Sequence, residues 1–247
     1  MPPYYHDGDY SDLWWVGAAE DGWGVTLSQH GDTIFLAWYI YDSSGNPLWV
    51  VMPGGTWNSA HNTYTGTVYI PNGSWFGAYD ASHFVANQPA GTVSIHFNSA
   101  TSATLTYTVR GVSGTKSITR QTFGIANTAP ITNYTDIWWG GTAENGWGMV
   151  LAQQYHDIFA AWYTYDSAGK PTWLVMPGGT WTSTNTYTGA LFRTRSAPVL
   201  GTTYNPSSLV VTQAGTLTFT FSSANAGSVT YTLDGITQTK PISRQPF

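Results

Sequence analysis

Two stretches of this 247-residue chain are near copies of each other. Residues 12–57 and 136–181 are identical at 29 of 46 positions, at an offset of 124 residues. Twelve of the 13 tryptophans fall into matched pairs, and Trp75 has no counterpart. The fold must therefore be one that the chain can build twice. Residues kept in both copies are under tighter constraint than residues that differ.

The duplication predicts two domains joined by a linker. Repeat 1 spans residues 12–123 and repeat 2 spans residues 136–247. A short tail at 1–11 precedes them, and the connection at 124–135 is rich in Asn, Thr and Pro. Each repeat is long enough to bury a core of its own. We therefore expect two separable domains.

Charge is scarce in this sequence and excludes several classes of partner. Charged residues make up 9% of the chain, against about 25% in an average soluble domain. The net charge of −5 offers no basic patch, which argues against nucleic acid and against an anionic membrane surface. Cysteine is absent, and no apolar run is long enough to insert into a membrane. A surface with few charges is typical of secreted bacterial or cell-surface proteins, although the first residues lack the basic and apolar segments of a signal peptide.

The local pattern predicts an all-β fold. Alternating and β-branched segments separated by Gly, Asn, Ser and Pro indicate about eight short strands in each repeat. They lie near residues 13–17, 22–29, 33–42, 47–53, 63–70, 91–98, 103–110 and 115–122, and again near 137–141, 146–153, 157–166, 171–177, 186–193, 215–222, 227–234 and 239–245. Short connections favour an up-and-down meander that closes on itself. We therefore predict two tandem, similar antiparallel β-barrels, with 71–90 and 194–214 as lids or side loops.

Comparison of the repeats assigns faces to the predicted strands. On the third strand, Phe35, Ala37, Tyr39 and Tyr41 recur without change, whereas the alternate face differs between repeats. We expect the unchanged face to point at the core or a site, and the variable face to lie nearer solvent or the other domain. The last strand likewise keeps Lys116, Ile118 and Arg120.

Only five charged residues of each repeat recur in the other. They are Asp12, Glu20, Asp42, Lys116 and Arg120, matched by Asp136, Glu144, Asp166, Lys240 and Arg244. An inward arginine requires a partner, because an unpaired buried charge costs several kcal/mol. We expect Glu20 and Gln29 to pair with Arg120, and Glu144 and Gln153 to pair with Arg244. Asp42 precedes Ser-x-Gly-x-Pro and is expected to fasten that turn. Met-Pro-Gly-Gly at 52–55 and 176–179 is expected to end a strand.

These features resemble calycin barrels, which comprise lipocalins and avidin-like proteins. Calycins place a Gly-x-Trp on the first strand, and an Arg or Lys of the last strand packs across that tryptophan. Gly22-Trp23-Gly24 with Arg120, and Gly146-Trp147-Gly148 with Arg244, occupy comparable places here. The resemblance implies barrel architecture only. The pattern GWG…Q…FxxWYxYDxxGxPxW also resembles tryptophan-rich repeats of secreted bacterial proteins of unassigned role.

The recurring aromatic residues have two interpretations. They are core residues, or some of Trp14, Trp15, Trp49 and Trp57 form a stacking surface for sugar rings or apolar ligands, at about 0.5–1.5 kcal/mol per aromatic pair beyond area burial. The tyrosines suit either a polar-lined pocket or a structural network. The candidate ligand-binding residues are Glu20, Trp23, Gln29, Tyr39, Tyr41, Trp49 and Arg120 in repeat 1, and Glu144, Trp147, Gln153, Tyr163, Tyr165, Trp173 and Arg244 in repeat 2.

Signals for catalysis, metals and cofactors are weak. Glu20 with Asp42, or Glu144 with Asp166, has the residue types of a glycosidase carboxylate pair. The six histidines do not recur between repeats, and no metal motif, nucleophile elbow, phosphate loop or dinucleotide fingerprint is present. We expect no metal and no cofactor.

The sequence therefore favours a secreted, non-catalytic binding module for a carbohydrate or small amphipathic ligand, duplicated for avidity. Two alternatives stay open. One is a glycoside hydrolase that uses Glu20 and Glu144. The other is a structural or protein-interaction module of the cell surface.

Overall fold

The molecule is all-β and consists of two closed antiparallel barrels of eight strands in tandem. This architecture comes from a computed structural model that describes residues 8–86, 89–125 and 132–247. The predicted fold class is confirmed. Parts of the predicted tail and linker, residues 1–7 and 126–131, lie outside the described residues, and the domain boundaries stay predictions.

The described part of repeat 1 contributes nine strands. They are β1 (Asp12–Trp15), β2 (Gly24–His30), β3 (Thr33–Tyr41), β4 (Pro47–Met52), β5 (Thr56–Trp57), β6 (Thr63–Tyr69), β7 (Pro89–Ser99), β8 (Ser102–Val109) and β9 (Val112–Arg120). Neighbours in the chain pair antiparallel except β4 and β5; β4 pairs with β6 instead, and β9 pairs with β1. Eight strands thereby close into a barrel, and the two-residue β5 only adds to β6. Closure removes the exposed edges of the sheet.

Repeat 2 builds the second barrel with the same topology. Its strands are β10 (Asp136–Trp139), β11 (Gly148–Gln154), β12 (Asp157–Tyr165), β13 (Pro171–Met176), β14 (Thr180–Trp181), β15 (Thr186–Arg195), β16 (Val210–Phe221), β17 (Ala226–Leu233) and β18 (Ile236–Arg244). Four single 3₁₀ turns complete the described structure, at Ala18–Glu20, Ala81–His83, Thr142–Glu144 and Pro206–Ser208. No helix among the described residues has the length and hydropathy needed to span a bilayer.

Local sequence signals explain the ends of β3 and β4. The Asp42 carboxylate accepts hydrogen bonds from the backbone N–H groups of Ser44 (2.8 Å) and Asn46 (2.9 Å), which confirms the predicted turn. Asp166 makes the same pair of bonds in repeat 2. β4 and β13 both end at the methionine of Met-Pro-Gly-Gly, also as predicted. A Cβ on Gly55 would lie 2.3 Å from the Thr65 carbonyl oxygen, so the chain requires glycine there.

Each barrel is closed by an arginine that packs on a tryptophan. Arg120 of β9 is directly opposite Trp14 of β1, and its guanidinium carbon lies 5.1 Å from the Trp14 ring centroid. Arg244 and Trp138 repeat the contact at 5.4 Å. The sequence placed Trp23 in this role, and that assignment was wrong. Trp23 instead contacts Lys116, which lies on the same face of β9 as Arg120. The Lys116 ammonium nitrogen is 5.6 Å from the Trp23 ring centroid.

The predicted partners of Arg120 were also wrong. Its guanidinium donates to the carbonyls of Ala100 (2.6 Å) and Ser11 (3.1 Å) and to the Asp12 carboxylate (3.4 Å). Glu20 instead accepts from Lys116, and Glu144 likewise accepts from Lys240. Gln29 bonds backbone groups of the first residues and its own hairpin, and Gln153 does the same in repeat 2. The arginine binds backbone carbonyls because two chain segments lie beside the end of β9: the residues that precede β1, and the turn between β7 and β8.

Aromatic and aliphatic side chains fill the barrel interiors. In barrel 1 the fully buried Trp38 packs against Trp23 and Tyr107, at 6.3 and 4.9 Å between ring centroids. In barrel 2 the space left beneath the corresponding Trp162 amounts to about 10 Å³, about the volume accessible to one water molecule. The sequence left open whether the barrels are hollow, and the structure shows filled cores.

The unchanged face of the third strand, expected at the core or a site, lies at the interface and contributes to both pockets described below, whereas the expectation that the variable face lies nearer solvent or the other domain was wrong. The unchanged face of β3, with Phe35, Tyr39 and Tyr41, points out of barrel 1 and against barrel 2. Tyr39 and Tyr41 contact the Trp173 ring at 5.6 and 5.5 Å, and Phe35 contacts Tyr163 at 6.4 Å. Where two copies of one surface pack against each other, the residues of both copies must keep a shape that fits the other. A barrel core can exchange a large side chain at one position for a small one if another position compensates for the volume.

Such exchanges are visible between the two cores. Leu36 of barrel 1 is replaced by Ala160 in barrel 2, while Ile95 is replaced by the larger Phe219. The variable face of β3 is therefore interior, and its variation reflects a repacked core.

The two repeats interlock through reciprocal loops. The segment after β6 crosses to barrel 2, where the Phe76 ring contacts Trp162 (5.7 Å) and Tyr231 (6.3 Å). The Tyr231 hydroxyl donates to the Phe76 carbonyl at 2.7 Å. The segment after β15 crosses in the opposite direction and buries Val199 and Tyr204 in the core of barrel 1. Each predicted lid thus covers the other repeat.

Candidate functional site

The interface between the barrels is built from matched contacts. The indole N–H of Trp49 donates to the Thr164 carbonyl (2.9 Å), and that of Trp173 donates to the Ile40 carbonyl (3.0 Å). Within their own repeats, Tyr41 donates to the Gly22 carbonyl and Tyr165 donates to the Gly146 carbonyl. Reciprocal bonds of this kind are what an approximate twofold relation produces.

Two apolar cavities lie along this interface. Pocket A has a volume of about 280 Å³, with walls from both repeats. Repeat 1 supplies Leu13, Trp15, Asp21, Gly22, Trp23, Gly24, Tyr39 and Gln121, and repeat 2 supplies Phe159, Trp173, Val175, Pro177, Phe192, Thr194, Leu209 and Val211. The volume is near the lower limit of about 300 Å³ for small-molecule sites.

Pocket B is the counterpart of pocket A and has a volume of about 420 Å³. Repeat 2 supplies Trp139, Asn145, Gly146, Trp147, Tyr163 and Gln245, and repeat 1 supplies Phe35, Trp49, Val51, Pro53, Tyr69, Pro71, Phe84 and Ala86. Ten of these residues match residues of pocket A at an offset of 124. The duplication therefore yields two versions of one cavity.

Period-two strands explain why these side chains converge. Trp49 and Val51 of β4, and Pro53 just after it, alternate along the chain and point outward from the barrel into the pocket. Leu48 and Val50 point into the barrel core. The crossed loops close each cavity from the other repeat. Phe84 lies against Gly146 of pocket B, where a Cβ would stand 2.3 Å from its ring, and Leu209 occupies the same place in pocket A.

Ion pairs fix the orientation of one aromatic wall in each pocket. The Glu20 carboxylate accepts from the Lys116 ammonium (2.7 Å) and from the indole N–H of Trp23 (3.2 Å). Glu144 holds Lys240 and Trp147 in the same way. Because the ion pair and the indole share one carboxylate, the glutamate sets the rotamer of the pocket tryptophan.

Burial raises the pKa of Tyr39 and of Tyr163 well above the ordinary value of 10.0. Desolvation of the phenolate is the largest cause in both cases. Both side chains therefore remain protonated across the physiological pH range, and each hydroxyl acts as a neutral hydrogen-bond donor or acceptor.

Six of the predicted binding residues meet at the two pockets. Trp23, Tyr39 and Trp173 line pocket A, and Trp147, Tyr163 and Trp49 line pocket B. The prediction grouped each set within one repeat, whereas the structure assembles each from both. Tyr41 and Tyr165 are buried beside the interface tryptophans.

The other predicted polar residues lie elsewhere. Gln29, Arg120, Gln153 and Arg244 line a polar cavity of about 240 Å³ between the ends of the barrels. There His30 contacts the Asp136 carboxylate at 3.0 Å, and its counterpart Gln154 donates to Asp12 at 3.3 Å. These side chains bond the chain segments that enter β1 and β10, and they link the repeats to each other.

The sequence suggested that some of Trp14, Trp15, Trp49 and Trp57 form a stacking surface, and two of them, Trp15 and Trp49, line the pockets. Trp14 is a core residue without exposure, and Trp49 is almost completely buried. Trp57 bonds the Asp32 carbonyl (2.8 Å) and stacks on His61. Trp15 lines pocket A and is partly exposed.

Sequence reasoning missed the apolar residues that complete the pockets. Val51, Val175, Phe159 and Leu209 are examples. The alternation Trp49-Val51-Pro53 was a usable signal for one wall. No local signal indicated that each loop crosses to the other barrel.

A third cavity, of about 790 Å³, has both polar and apolar walls and is lined in part by Asp42 and Asp166. Both aspartates accept hydrogen bonds from backbone N–H groups of their own turns. In the same cavity Arg193 forms an ion pair with Asp234 at 2.8 Å. No group of three or more potential metal-ligating side chains forms in the part of the chain that the structure describes.

No protein-family model matches the sequence, and no curated protein matches it significantly.

Proposed function

We propose that this protein is a secreted or cell-surface binding protein, without catalytic activity, that holds small amphipathic ligands in pockets A and B. The observation that carries the proposal is the pair of equivalent, aromatic-walled cavities at the barrel interface. Mostly apolar walls with a few convergent polar groups are the general pattern of small-molecule sites. The polar groups here are Asp21, Gln121, Tyr39 and Thr194 in pocket A, and Asn145, Gln245, Tyr163 and Tyr69 in pocket B.

The pocket chemistry favours an amphipathic ligand over a carbohydrate. A sugar ring carries hydroxyls on most of its carbons, and each hydroxyl that loses water without a new partner costs about 1–3 kcal/mol. Four polar side chains per pocket, besides the tryptophans, are few for such a ligand. An aromatic or aliphatic body with one or two polar atoms matches the walls better.

The calycin resemblance belongs to the same proposal. Arg120 on Trp14 is a contact between the last and first strands, of the kind that calycins use to close the barrel. Calycin interiors can hold one ligand, whereas here the cores are filled. We therefore place the ligands outside the barrels, at the interface that duplication created. No observation favours the glycosidase alternative, because Glu20 is held by Lys116 and Asp42 by its turn.

Titration with the neutral fluorophore N-phenyl-1-naphthylamine tests the proposal. We expect two equivalents to bind per chain. Val175→Trp fills pocket A and Val51→Trp fills pocket B, so each variant should lose one equivalent and the double variant both. Val175→Phe and Val51→Phe provide milder versions, and near-UV circular dichroism checks that each variant is folded.

A glycan array with the same proteins tests the carbohydrate alternative. Binding of the fluorophore that survives the double Trp variant would contradict the proposed sites. Glycan binding that persists in the double variant, with no binding of the fluorophore to the wild type, would replace the proposal by surface recognition of carbohydrate.

A further inference from the structure

Half of the lysines and arginines of this chain meet in the third cavity. The chain has eight of these residues, and four of them recur between the repeats and are held in ion pairs. The four that do not recur all line the third cavity, and they are Arg110, Lys170, Arg193 and Arg195. Because these four are scattered along the chain, the sequence alone showed no basic patch.

The third cavity lies where matched parts of the two repeats face each other. Its walls contain seven pairs of residues that match between repeats at an offset of 123 or 124. Matched backbone bonds also join the repeats beside it. The Gly73 N–H donates to the Gly169 carbonyl (3.2 Å), and the Ser196 N–H donates to the Gly45 carbonyl (3.3 Å). Differences between the two copies are therefore brought together in this cavity.

The differences are mostly differences of charge. Three of the four cations match neutral residues of repeat 1, in the pairs Asn46 and Lys170, Ile70 and Arg193, and Asn72 and Arg195. The fourth, Arg110, matches Asp234. Trp75, the tryptophan without a counterpart, lines the same cavity. The walls thus combine cations and an aromatic ring that the duplicated design does not require.

Arg110 occupies a backbone conformation that does not favour arginine. It has φ 50°, in the left-handed region, at a turn where the matching Asp234 has φ 52°. Aspartate and asparagine adopt this conformation more readily than arginine does. The turn alone therefore does not explain an arginine at this position, and a residue held in an unfavourable conformation points to a role for its side chain.

Three of the four cations have no carboxylate partner. In the part of the chain that the structure describes, Arg110, Lys170 and Arg195 form no ion pair. The Arg195 guanidinium reaches across to the Ser44 carbonyl of repeat 1, at a long 3.4 Å. All three side chains belong to exposed residues, so a ligand can reach them.

The carboxylates of the cavity are already engaged. Asp234 pairs with Arg193 at 2.8 Å. Asp42 and Asp166 each accept hydrogen bonds from two backbone N–H groups of their turns. With four cations against three carboxylates, the cavity is positively charged, although the chain has a net charge of −5. Such a cleft attracts anions.

We propose that the third cavity binds a small organic dianion, in which two acidic groups are joined by an apolar ring. The two unpaired arginines come from different repeats, and each can bind one carboxylate in a bidentate manner. Lys170 supplies a further positive charge, and Trp75 and Leu48 supply apolar wall for the ring. The volume of about 790 Å³ lies within the range of about 300–1,000 Å³ for small-molecule sites. The inference goes beyond the proposed function, because this cavity shares no wall residue with pockets A and B.

Naphthalene-2,6-dicarboxylate and its neutral diamide form a matched probe pair, because they share one ring body and differ in charge. Their Kd values are measured by fluorescence anisotropy. We expect the wild type to bind one equivalent of the dicarboxylate, and to bind the diamide about 2- to 30-fold more weakly for the loss of two ion pairs. The double variant Val51→Trp, Val175→Trp, which fills pockets A and B, should bind the dicarboxylate as the wild type does.

Five variants locate the site. Lys170→Asn and Arg195→Asn install the residue that repeat 1 has at the matched position, and Arg110→Asn installs a residue that suits the turn. Each should weaken binding of the dicarboxylate about 1.4- to 5-fold, and the triple variant about 3- to 150-fold if the contributions add. Trp75→Leu should weaken binding of both probes about 2- to 13-fold. Asn98→Asp is the control, because it makes the same change of net charge at the other end of β8, and it should leave both Kd values unchanged.

Four results would overturn the inference. They are no binding of the dicarboxylate to the wild type, equal binding of the diamide, an affinity unchanged in the triple variant, and loss of the bound equivalent in the double Trp variant. Retention of N-phenyl-1-naphthylamine by pockets A and B in any of these cases would leave the proposed function intact. Conversely, binding of the dicarboxylate as expected, without binding of that fluorophore, would support the third site and contradict the proposed function.

Discussion

Removal of the Phe76 side chain tests whether a loop of repeat 1 is part of the core of barrel 2. Phe76 is 7% exposed and contacts Trp162 and Tyr231. Truncation of a buried phenylalanine to alanine costs about 3–5 kcal/mol. The loop backbone can relax, which favours the lower end of that range. The Tyr231 hydroxyl nevertheless holds the Phe76 carbonyl in place (2.7 Å) and limits collapse of the cavity. We expect Phe76→Ala to lower the free energy of unfolding by about 3 kcal/mol.

Urea unfolding followed by circular dichroism, and calorimetry, measure this loss. For a chain of this size, about 3 kcal/mol corresponds to a fall in Tm of about 6–12 °C. Val85→Ala is a matched control, because Val85 lies on the same loop and is 52% exposed. That variant should stay within about 0.5 kcal/mol of the wild type. A loss below about 1 kcal/mol for Phe76→Ala would show that the loop only rests on barrel 2 and that the cores are not shared.

Four further expectations follow from the packing. Gly148→Ala should lower the free energy of unfolding by more than about 2 kcal/mol, because the new methyl group forces Tyr163 to move. Gly24→Ala should lower it by less than about 1 kcal/mol, because no tyrosine ring lies there. Equal losses in urea unfolding would contradict this expectation. Trp49→Phe should cost about 1–3 kcal/mol by leaving a buried carbonyl unpaired, and a change within about 0.3 kcal/mol would contradict the interface bond. Burial raises the pKa of Asp12 above its ordinary 3.8, so the native state binds the proton more tightly than the unfolded chain. The stability contribution of this carboxyl therefore falls as pH rises from 3.8 through the raised pKa, and Asp12→Asn should remove that component of the pH dependence of the free energy of unfolding above pH 3.8. Each repeat expressed alone should lack a cooperative transition, and the two should form a 1:1 complex on mixing, as measured by size-exclusion chromatography with light scattering; a stable monomeric half would show that the crossed loops are dispensable.

Period-two alternation and turn chemistry were sufficient to predict most of the fold. The eight barrel strands of each repeat, the turn held by Asp42 and the strand ends at Met-Pro-Gly-Gly all depend on interactions within a few residues. The two-residue strands β5 and β14 were missed because a pair that short has no period to detect. The barrel closure was predicted in kind, but with Trp23 in place of Trp14. Both tryptophans recur in the two repeats, and only strand pairing distinguishes them.

For the candidate site, the sequence identified aromatic residues that matter without showing where they meet. Duplication marked Trp23, Tyr39, Trp49 and their counterparts as constrained. It did not distinguish a core from an interface, since either keeps a residue unchanged in both copies. The tertiary structure decided that Tyr39 faces Trp173 of the other repeat.

Strand period, turns and duplication were enough to predict that one β-barrel design is used twice, because all three are local or internal properties of the chain. The packing of the barrels through their constrained faces, the exchange of loops and the two pockets became visible only in the folded molecule. The physical reason is that these contacts join residues more than 100 positions apart, such as Trp49 and Thr164. Such contacts form when two folded surfaces dock, and the pattern of residues along the chain does not indicate which residues of the two surfaces meet.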